Sequence, residues 1–140
     1  MKEITRHQSR QLALQLLYQQ DYNPKTMKAL LNQLQERHPS LDASSFVWQL
    51  ITGVLAESTS LDEMISMRAE NWKLNRISAV DRNILRLALY ELTMMEEIPD
   101  KVAINEAVEL AKEFSGERAA SFINGILGAV LRQGSDGEDE

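Results

Sequence analysis

The sequence contains no cysteine, and proline, glycine and histidine are scarce. The chain of 140 residues has three prolines, six glycines and two histidines. Without cysteine there is no disulfide, no thiolate metal site and no cysteine nucleophile, and two histidines are too few for a histidine-rich metal site. We therefore expect neither a metal nor a cofactor.

Long apolar runs are missing as well. No run of eighteen apolar residues occurs, so we predict no membrane-spanning helix, and the N-terminus lacks the apolar core of a signal peptide. We expect a cytoplasmic protein that does not bind a membrane.

The sequence motifs of common enzyme classes are absent. We find no Gly-x-x-x-x-Gly-Lys, no Gly-x-Gly-x-x-Gly, no Gly-x-Ser-x-Gly and no His-Glu-x-x-His. The neighbouring carboxylates Glu96 and Glu97 fit a solvated, acidic helix end. We predict that the chain is not an enzyme.

The charge is acidic overall but unevenly distributed. A net charge of −6 argues against a protein that coats nucleic acid non-specifically. Residues 1–12 nevertheless carry three basic residues against one acidic residue, and the residues after Gly134 carry four acidic residues and no base. A small basic patch near the N-terminus remains compatible with this composition.

Apolar stripes at helical spacing run through most of the chain, and no strand pattern is evident. The stripes and their caps predict helices over 5–22, 26–37, 42 to beyond 65, 78–95, 98–115 and from about 117 to Gly134, with a turn or short helical piece over 71–76. Helices with short connections pack into bundles. We expect one helical domain over 1–133 and a disordered acidic tail over 134–140.

Three segments carry a family resemblance. They read Leu-Arg-Leu-Ala-Leu-Tyr-Glu-Leu at 85–92, Val-Ala-Ile-Asn-Glu-Ala at 102–107 and Phe-Ile-Asn-Gly-Ile-Leu at 122–127. In this order and spacing they closely resemble the NusB family of bacterial transcription antitermination factors. The resemblance implies an all-α fold of about seven helices in two packed small helical bundles.

The same resemblance implies a function. Such a protein binds boxA-type single-stranded RNA together with the ribosomal protein NusE, and the pair joins the RNA polymerase antitermination complex during ribosomal RNA transcription. Both monomers and homodimers occur in the family, and the sequence leaves that choice open.

The first candidate RNA contacts lie on helix one. Arg6, His7 and Arg10 share one side of that helix, where they can lie along a phosphate backbone, and Lys2 precedes them. From the residues alone, a solvated helix start explains them as well. The family has an arginine-rich RNA-binding segment here, although uncharged residues interrupt it in this chain.

The second candidate RNA contacts lie on later helices. Phe122 and Arg118 are four residues apart on the last helix, and an aromatic ring beside a guanidinium can stack an unpaired base. A core position for Phe122 is the alternative, but the matching phenylalanine of the family takes part in RNA binding. Arg86 is a weaker candidate, for which a surface salt bridge is the alternative.

Two glycines interrupt the last helix. A glycine inside a helix costs about 1 kcal/mol relative to alanine, so Gly125 and Gly128 indicate that another backbone or a ligand comes close. A tight helix crossing is the simpler of these two interpretations.

Tyr18 and Asp81 match positions at which the family meets NusE. A tyrosine suits an interface because its ring supplies area and its hydroxyl supplies a hydrogen bond. A half-buried tyrosine and a helix-capping aspartate are the alternative readings of these residues.

Two other functions remain open. The chain could be a helical adaptor that binds only protein partners, or a stand-alone ribosomal RNA-binding module like those fused to ribosomal RNA cytosine methyltransferases. We do not expect a methyltransferase itself, because 140 residues leave no room for its catalytic domain and we find no glycine-rich cofactor loop in them.

Overall fold

The computed structural model describes residues 4–69 and 73–138, with side chains as far as residue 132. These residues form seven α-helices and one short 3₁₀ helix, η1, and the all-α prediction is confirmed. The elements are α1 (Arg6–Tyr22), α2 (Met27–Arg37), α3 (Phe46–Ala56), α4 (Ser58–Arg68), η1 (Leu74–Arg76), α5 (Ala79–Met94), α6 (Asp100–Phe114) and α7 (Glu117–Glu138). Within this part of the chain, none of the helices has the length and apolar character needed to cross a membrane.

Several helix ends are set by local chemistry, as the sequence predicts. Thr5 begins α1 through a reciprocal capping box, in which the Gln8 amide donates to Thr5 Oγ1 (3.0 Å) and the Thr5 amide donates to Gln8 Oε1 (2.9 Å). Ser78 caps α5 by accepting from the Asp81 amide at 3.1 Å. Gly116 ends α6 with a φ of 118°, which favours glycine.

The single long third helix of the prediction is wrong. The chain forms two helices, α3 and α4, which meet at Glu57, whose φ and ψ are −104° and 16°. Asp42 does not cap α3 either, because Ser45 occupies the N-cap position and the Asp42 carboxylate accepts from the Ser44 amide at 2.9 Å. The apolar stripe continues across Glu57 because both helices face the same core.

Helix α5 lies at the centre of the molecule. It packs against α1 and α3 and also against α4, α6 and α7, so it joins an N-terminal bundle of α1–α3 to a C-terminal bundle of α4–α7. Its side chains Ile84, Leu85, Leu87 and Leu89 are fully buried in one continuous core. Each such side chain contributes roughly 1.5–3 kcal/mol to folding.

The last helix continues beyond its predicted end. Backbone helix extends past Gly134 to Glu138, so this glycine does not end α7. The last two residues, at 139 and 140, lie outside the described residues, and the disorder of the acidic tail stays a prediction.

Among the glycines whose surroundings are described, the tightest contact occurs at one other than those singled out in the sequence. Gly53 of α3 is buried against α5, and a Cβ added there would overlap the ring of Tyr90. The helix crossing predicted at Gly125 is wrong, because no described heavy atom outside the neighbouring residues and the backbone of α7 comes within 4 Å of a Cβ built there, while the ligand alternative stays a prediction. At Gly128 only the flexible end of Arg132 comes near, at 3.3 Å.

We therefore expect opposite effects from two glycine substitutions. Gly53→Ala should lower the free energy of unfolding by about 1–3 kcal/mol, because the methyl group must displace the Tyr90 ring. Gly125→Ala, in open space on a helix, is the matched control and should raise it by up to about 1 kcal/mol. Urea denaturation measures both, and a neutral Gly53→Ala would contradict the packing described here.

Candidate functional site

Arg10, predicted as a phosphate contact, is buried in an ion pair. Its side chain is 3% exposed and that of Glu91 on α5 is 1% exposed. Arg10 Nε donates to both Glu91 carboxylate oxygens, at 3.0 and 3.1 Å, and Nη2 donates to Oε1. Burial raises the pKa of Glu91, while the hydrogen bond and charge of Arg10 oppose that rise. This location favours a structural role for Arg10 over a contact with phosphate.

His7 lies between two carboxylates of α6. Its Nδ1 is 2.7 Å from Glu106 Oε2 and its Nε2 is 2.9 Å from Glu113 Oε1, so the imidazolium form satisfies both acceptors. The hydrogen bond to Glu106 is the main factor that raises the pKa of His7 above its ordinary 6.5. Gln11 also donates to Glu113, at 2.8 Å. Carboxylates of α6 thus neutralise this part of the predicted basic surface.

Arg6 is the basic residue of α1 that has no carboxylate within 4.0 Å among the described residues. Its guanidinium lies over the Phe46 ring, 4.8 Å from the centroid, in a cation–π contact. It lines a polar cavity of about 330 Å³ beside the start of α3, with Ser44 and Asp42 on the wall. Lys2, the remaining candidate at this end, lies outside the described residues.

Arg86 is held by acidic side chains, as the salt-bridge alternative predicts. Its Nε and Nη2 donate to the Asp62 carboxylate on α4 at 2.7 and 3.0 Å, and Nη1 approaches Asp21 on α1 at 3.4 Å. Asn83 donates to Asp21 as well, at 2.8 Å. The guanidinium therefore links three helices, and little of it faces solvent.

Phe122 and Arg118 of α7 line one groove together with residues around the start of α5. The groove has a volume of about 520 Å³ and includes Asp81, Ile77 and Arg76 in its wall. Phe122 is half-buried at this position, packed against the core and open to the groove. The fold thus brings two of the predicted RNA contacts together.

Asp81 lies in the Phe122 groove rather than beside Tyr18, the other predicted partner contact. One of its carboxylate oxygens, Oδ1, is buried without a hydrogen-bond partner among the described residues. Arg76 belongs to the same wall, and sequence reasoning missed it. The sequence held one indication of its position, because Arg76 directly precedes Ile77 and the Ser78 cap. These two residues bring the end of η1 towards the end of α6.

Tyr18 lines a second groove, at the end of α1. The groove has a volume of about 630 Å³, its floor includes Leu30 of α2, and glutamines such as Gln33 form much of its rim. The Tyr18 ring lies 5.0 Å from that of Tyr22, centroid to centroid. Tyr22 is 71% exposed and Tyr18 is half-buried, as the alternative reading of Tyr18 predicts.

We expect Arg10 to be required for stability and not for contact with a ligand. Arg10→Met should cost about 3–5 kcal/mol of unfolding free energy, because it leaves the Glu91 carboxylate buried without its partner. Arg10→Met with Glu91→Leu should recover most of that loss, as measured by urea denaturation. The double variant also tests the phosphate role directly, since a folded double variant with weakened RNA binding would support that role after all.

The His7 contacts predict a pH dependence of stability. Because the folded-state pKa is raised, the stabilisation is fully present below the unfolded value of 6.5 and is lost as the pH rises through the folded-state pKa. The difference in unfolding free energy between the wild type and His7→Gln should therefore shrink as the pH rises above 6.5. The effect is small, because the side chain is 37% exposed. Replacing Glu106 and Glu113 by glutamine should abolish it, and a difference that grows with pH would contradict these contacts.

Comparison with known proteins agrees with this fold over nearly the whole chain. The model of the NusB family matches residues 7–132. A transcription antitermination protein NusB of Desulfotalea psychrophila is 41% identical over 130 residues, which cover 87% of this chain and 92% of that protein. The protein of the same name from Clostridium botulinum strain Kyoto is 37% identical over 143 residues, covering 91% and 100% of the two chains.

Solved structures of similar proteins lead to the same family. NusB of T. maritima superposes with a TM-score of 0.79 at 32% identity, covering 94% of this chain and 93% of that one. A structure of the antitermination factors NusB and NusE in complex with dsRNA matches with a TM-score of 0.78 at 22% identity over 93% of this chain and 99% of its own, a likeness of fold alone. The chain described here belongs to the NusB family.

Proposed function

We propose that this chain is a transcription antitermination factor that binds boxA-type single-stranded RNA together with a NusE-type ribosomal protein during ribosomal RNA transcription. Family membership over residues 7–132 carries the proposal, because it covers both candidate grooves. The chain would then act in the cytoplasm by binding rather than by catalysis, and would join the RNA polymerase antitermination complex through its partner.

The Phe122 groove suits an unpaired base. Its volume of about 520 Å³ falls in the range of about 300–1,000 Å³ typical of small-ligand pockets. Phe122 provides an aromatic surface, Ile77 and Ala119 provide apolar walls, and Arg118 provides a positive charge. Stacking on an aromatic ring beside a cation holds single strands with little dependence on sequence.

The contribution of α1 to RNA binding is smaller than its sequence suggests. Arg6 faces solvent, but His7 and Arg10 are engaged with carboxylates of α5 and α6. Fewer free cations mean fewer released counterions and a weaker electrostatic contribution. A protein partner that extends the RNA surface would compensate for this.

The Tyr18 groove suits a protein partner. Aromatic residues are enriched in protein interfaces, and the half-buried Tyr18 and the exposed Tyr22 lie in a concave surface with amide side chains at its rim. A protein bound in the Tyr18 groove would be the NusE-type partner of the proposed complex.

One observation favours the adaptor that binds only proteins. The net charge is −6, and the basic residues of α1 other than Arg6 are neutralised within the described part of the chain. The adaptor and the antitermination factor differ in whether the chain binds RNA at all.

The deciding experiment is a titration of labelled boxA-type RNA with and without the NusE-type protein, over a series of salt concentrations. Phe122→Leu, which keeps the side chain apolar and removes the aromatic surface, should lower RNA affinity by about 1–3 kcal/mol. Phe114→Leu, at an exposed phenylalanine of α6, is the matched control and should have no effect. Tyr18→Ala should leave the affinity for RNA alone unchanged and reduce the gain from the partner by about 1–3 kcal/mol.

Absence of saturable, salt-dependent RNA binding under both conditions, with the partner still bound, would reject the RNA function and support the adaptor. Equal effects of Phe122→Leu and Phe114→Leu would reject the Phe122 groove as the RNA site.

A further inference from the structure

The arginines near α5 fall into two groups. Arg86 and Arg82 are engaged with Asp62 and Asp21, whereas Arg118 and Arg76 flank the Phe122 groove. Among the described residues, no carboxylate lies within 4.0 Å of either guanidinium in this second group. Cations that are not neutralised within the chain are those that can release counterions from a nucleic acid.

Arg76 is presented from a well-fixed backbone. It is the last residue of η1, and its amide donates to the Lys73 carbonyl at 2.9 Å. The next residue, Ile77, is buried, and Ser78 then caps α5. An exposed side chain on an anchored segment meets a ligand with little loss of backbone entropy.

The same residue adjoins a second depression that leads towards the partner surface. Arg76, Ile77 and Ser78 line both the Phe122 groove and a depression of about 340 Å³. Tyr22 lines that depression and also the Tyr18 groove. A continuous surface therefore runs from Phe122 past Arg76 to the exposed Tyr22.

We propose that Arg76 is a phosphate-binding residue of the RNA site, located where the strand leaves the Phe122 groove and approaches the protein partner at Tyr18. This rests on the proposed function. The planar guanidinium presents paired donors that match phosphate oxygens, and the neighbouring Arg118 allows phosphates on both sides of a base to be contacted.

The test compares charge-neutralising variants of the full chain with the same boxA-type RNA. Arg76→Gln should weaken binding about five- to tenfold near 0.1 M salt and reduce the log–log salt slope by about 1, as Arg118→Gln should. Arg76→Lys should retain the salt slope and part of the affinity, because it keeps the charge and loses the paired donors. Arg37→Gln, at the end of α2 and away from the groove, changes the net charge equally and should leave the slope unchanged.

The results of these measurements distinguish the role of Arg76 from the RNA-binding function of the chain. If Arg118→Gln and Phe122→Leu weaken binding but Arg76→Gln behaves as Arg37→Gln does, the role of Arg76 is refuted and the RNA function stands. If none of these variants differs from Arg37→Gln, the RNA groove itself is refuted. If Arg76→Gln weakens only the binding of the protein partner, Arg76 is a protein contact and the inference is overturned.

Discussion

The ion pair of Arg10 and Glu91 determines how the first helix meets the rest of the molecule. Burying either charge alone costs several kcal/mol, so the two side chains must face each other across the α1–α5 contact. Once Arg10 points inward, His7 lies towards the carboxylates of α6 and Arg6 is left over the Phe46 ring. Three basic residues close together in sequence therefore have three different environments, and among the described residues only Arg6 of the three has no carboxylate within 4.0 Å.

Local chemistry made most of the fold predictable from the sequence. Caps at Thr5, Ser78 and Gly116 act over a few residues, and apolar stripes report directly on which face is buried. The break between α3 and α4 at Glu57 has no comparable sequence signal. The Glu57 amide still donates to the Gly53 carbonyl and the Leu61 amide to the Glu57 carbonyl, so the hydrogen bonding and the stripe continue through the bend. The direction of the bend depends on packing between helices that are distant in sequence. The spacing of apolar residues carries no information about that packing.

The candidate site was less predictable, because its charges are paired across long sequence separations. Arg10 and Glu91 are 81 positions apart, and their contact is invisible locally. One signal was available, however. Arg10 precedes the buried Ala13 and Leu14 at helical spacing, so it lies on the apolar face of α1, and Glu91 follows Leu87 and Ala88 on α5 in the same way. A charged residue on the apolar stripe of each of two helices is the pattern expected of a buried ion pair.

The net charge of the chain says little about the surface that an RNA would meet. Among the described residues, Arg10, Arg82 and Arg86 are paired with carboxylates where the helices meet, and what matters for a polyanion is the set of basic side chains that remains free around an accessible groove. Within the described part of the chain, that set depends on α7 and η1 more than on α1. In the tertiary structure, His7 and Arg10 are neutralised, whereas Arg118 and Arg76 stay exposed beside Phe122. The proposed centre of RNA recognition is therefore the groove between α5 and α7 and not α1. A partner at Tyr18 then lies at the far end of the same surface, so it can extend the RNA path without covering the groove.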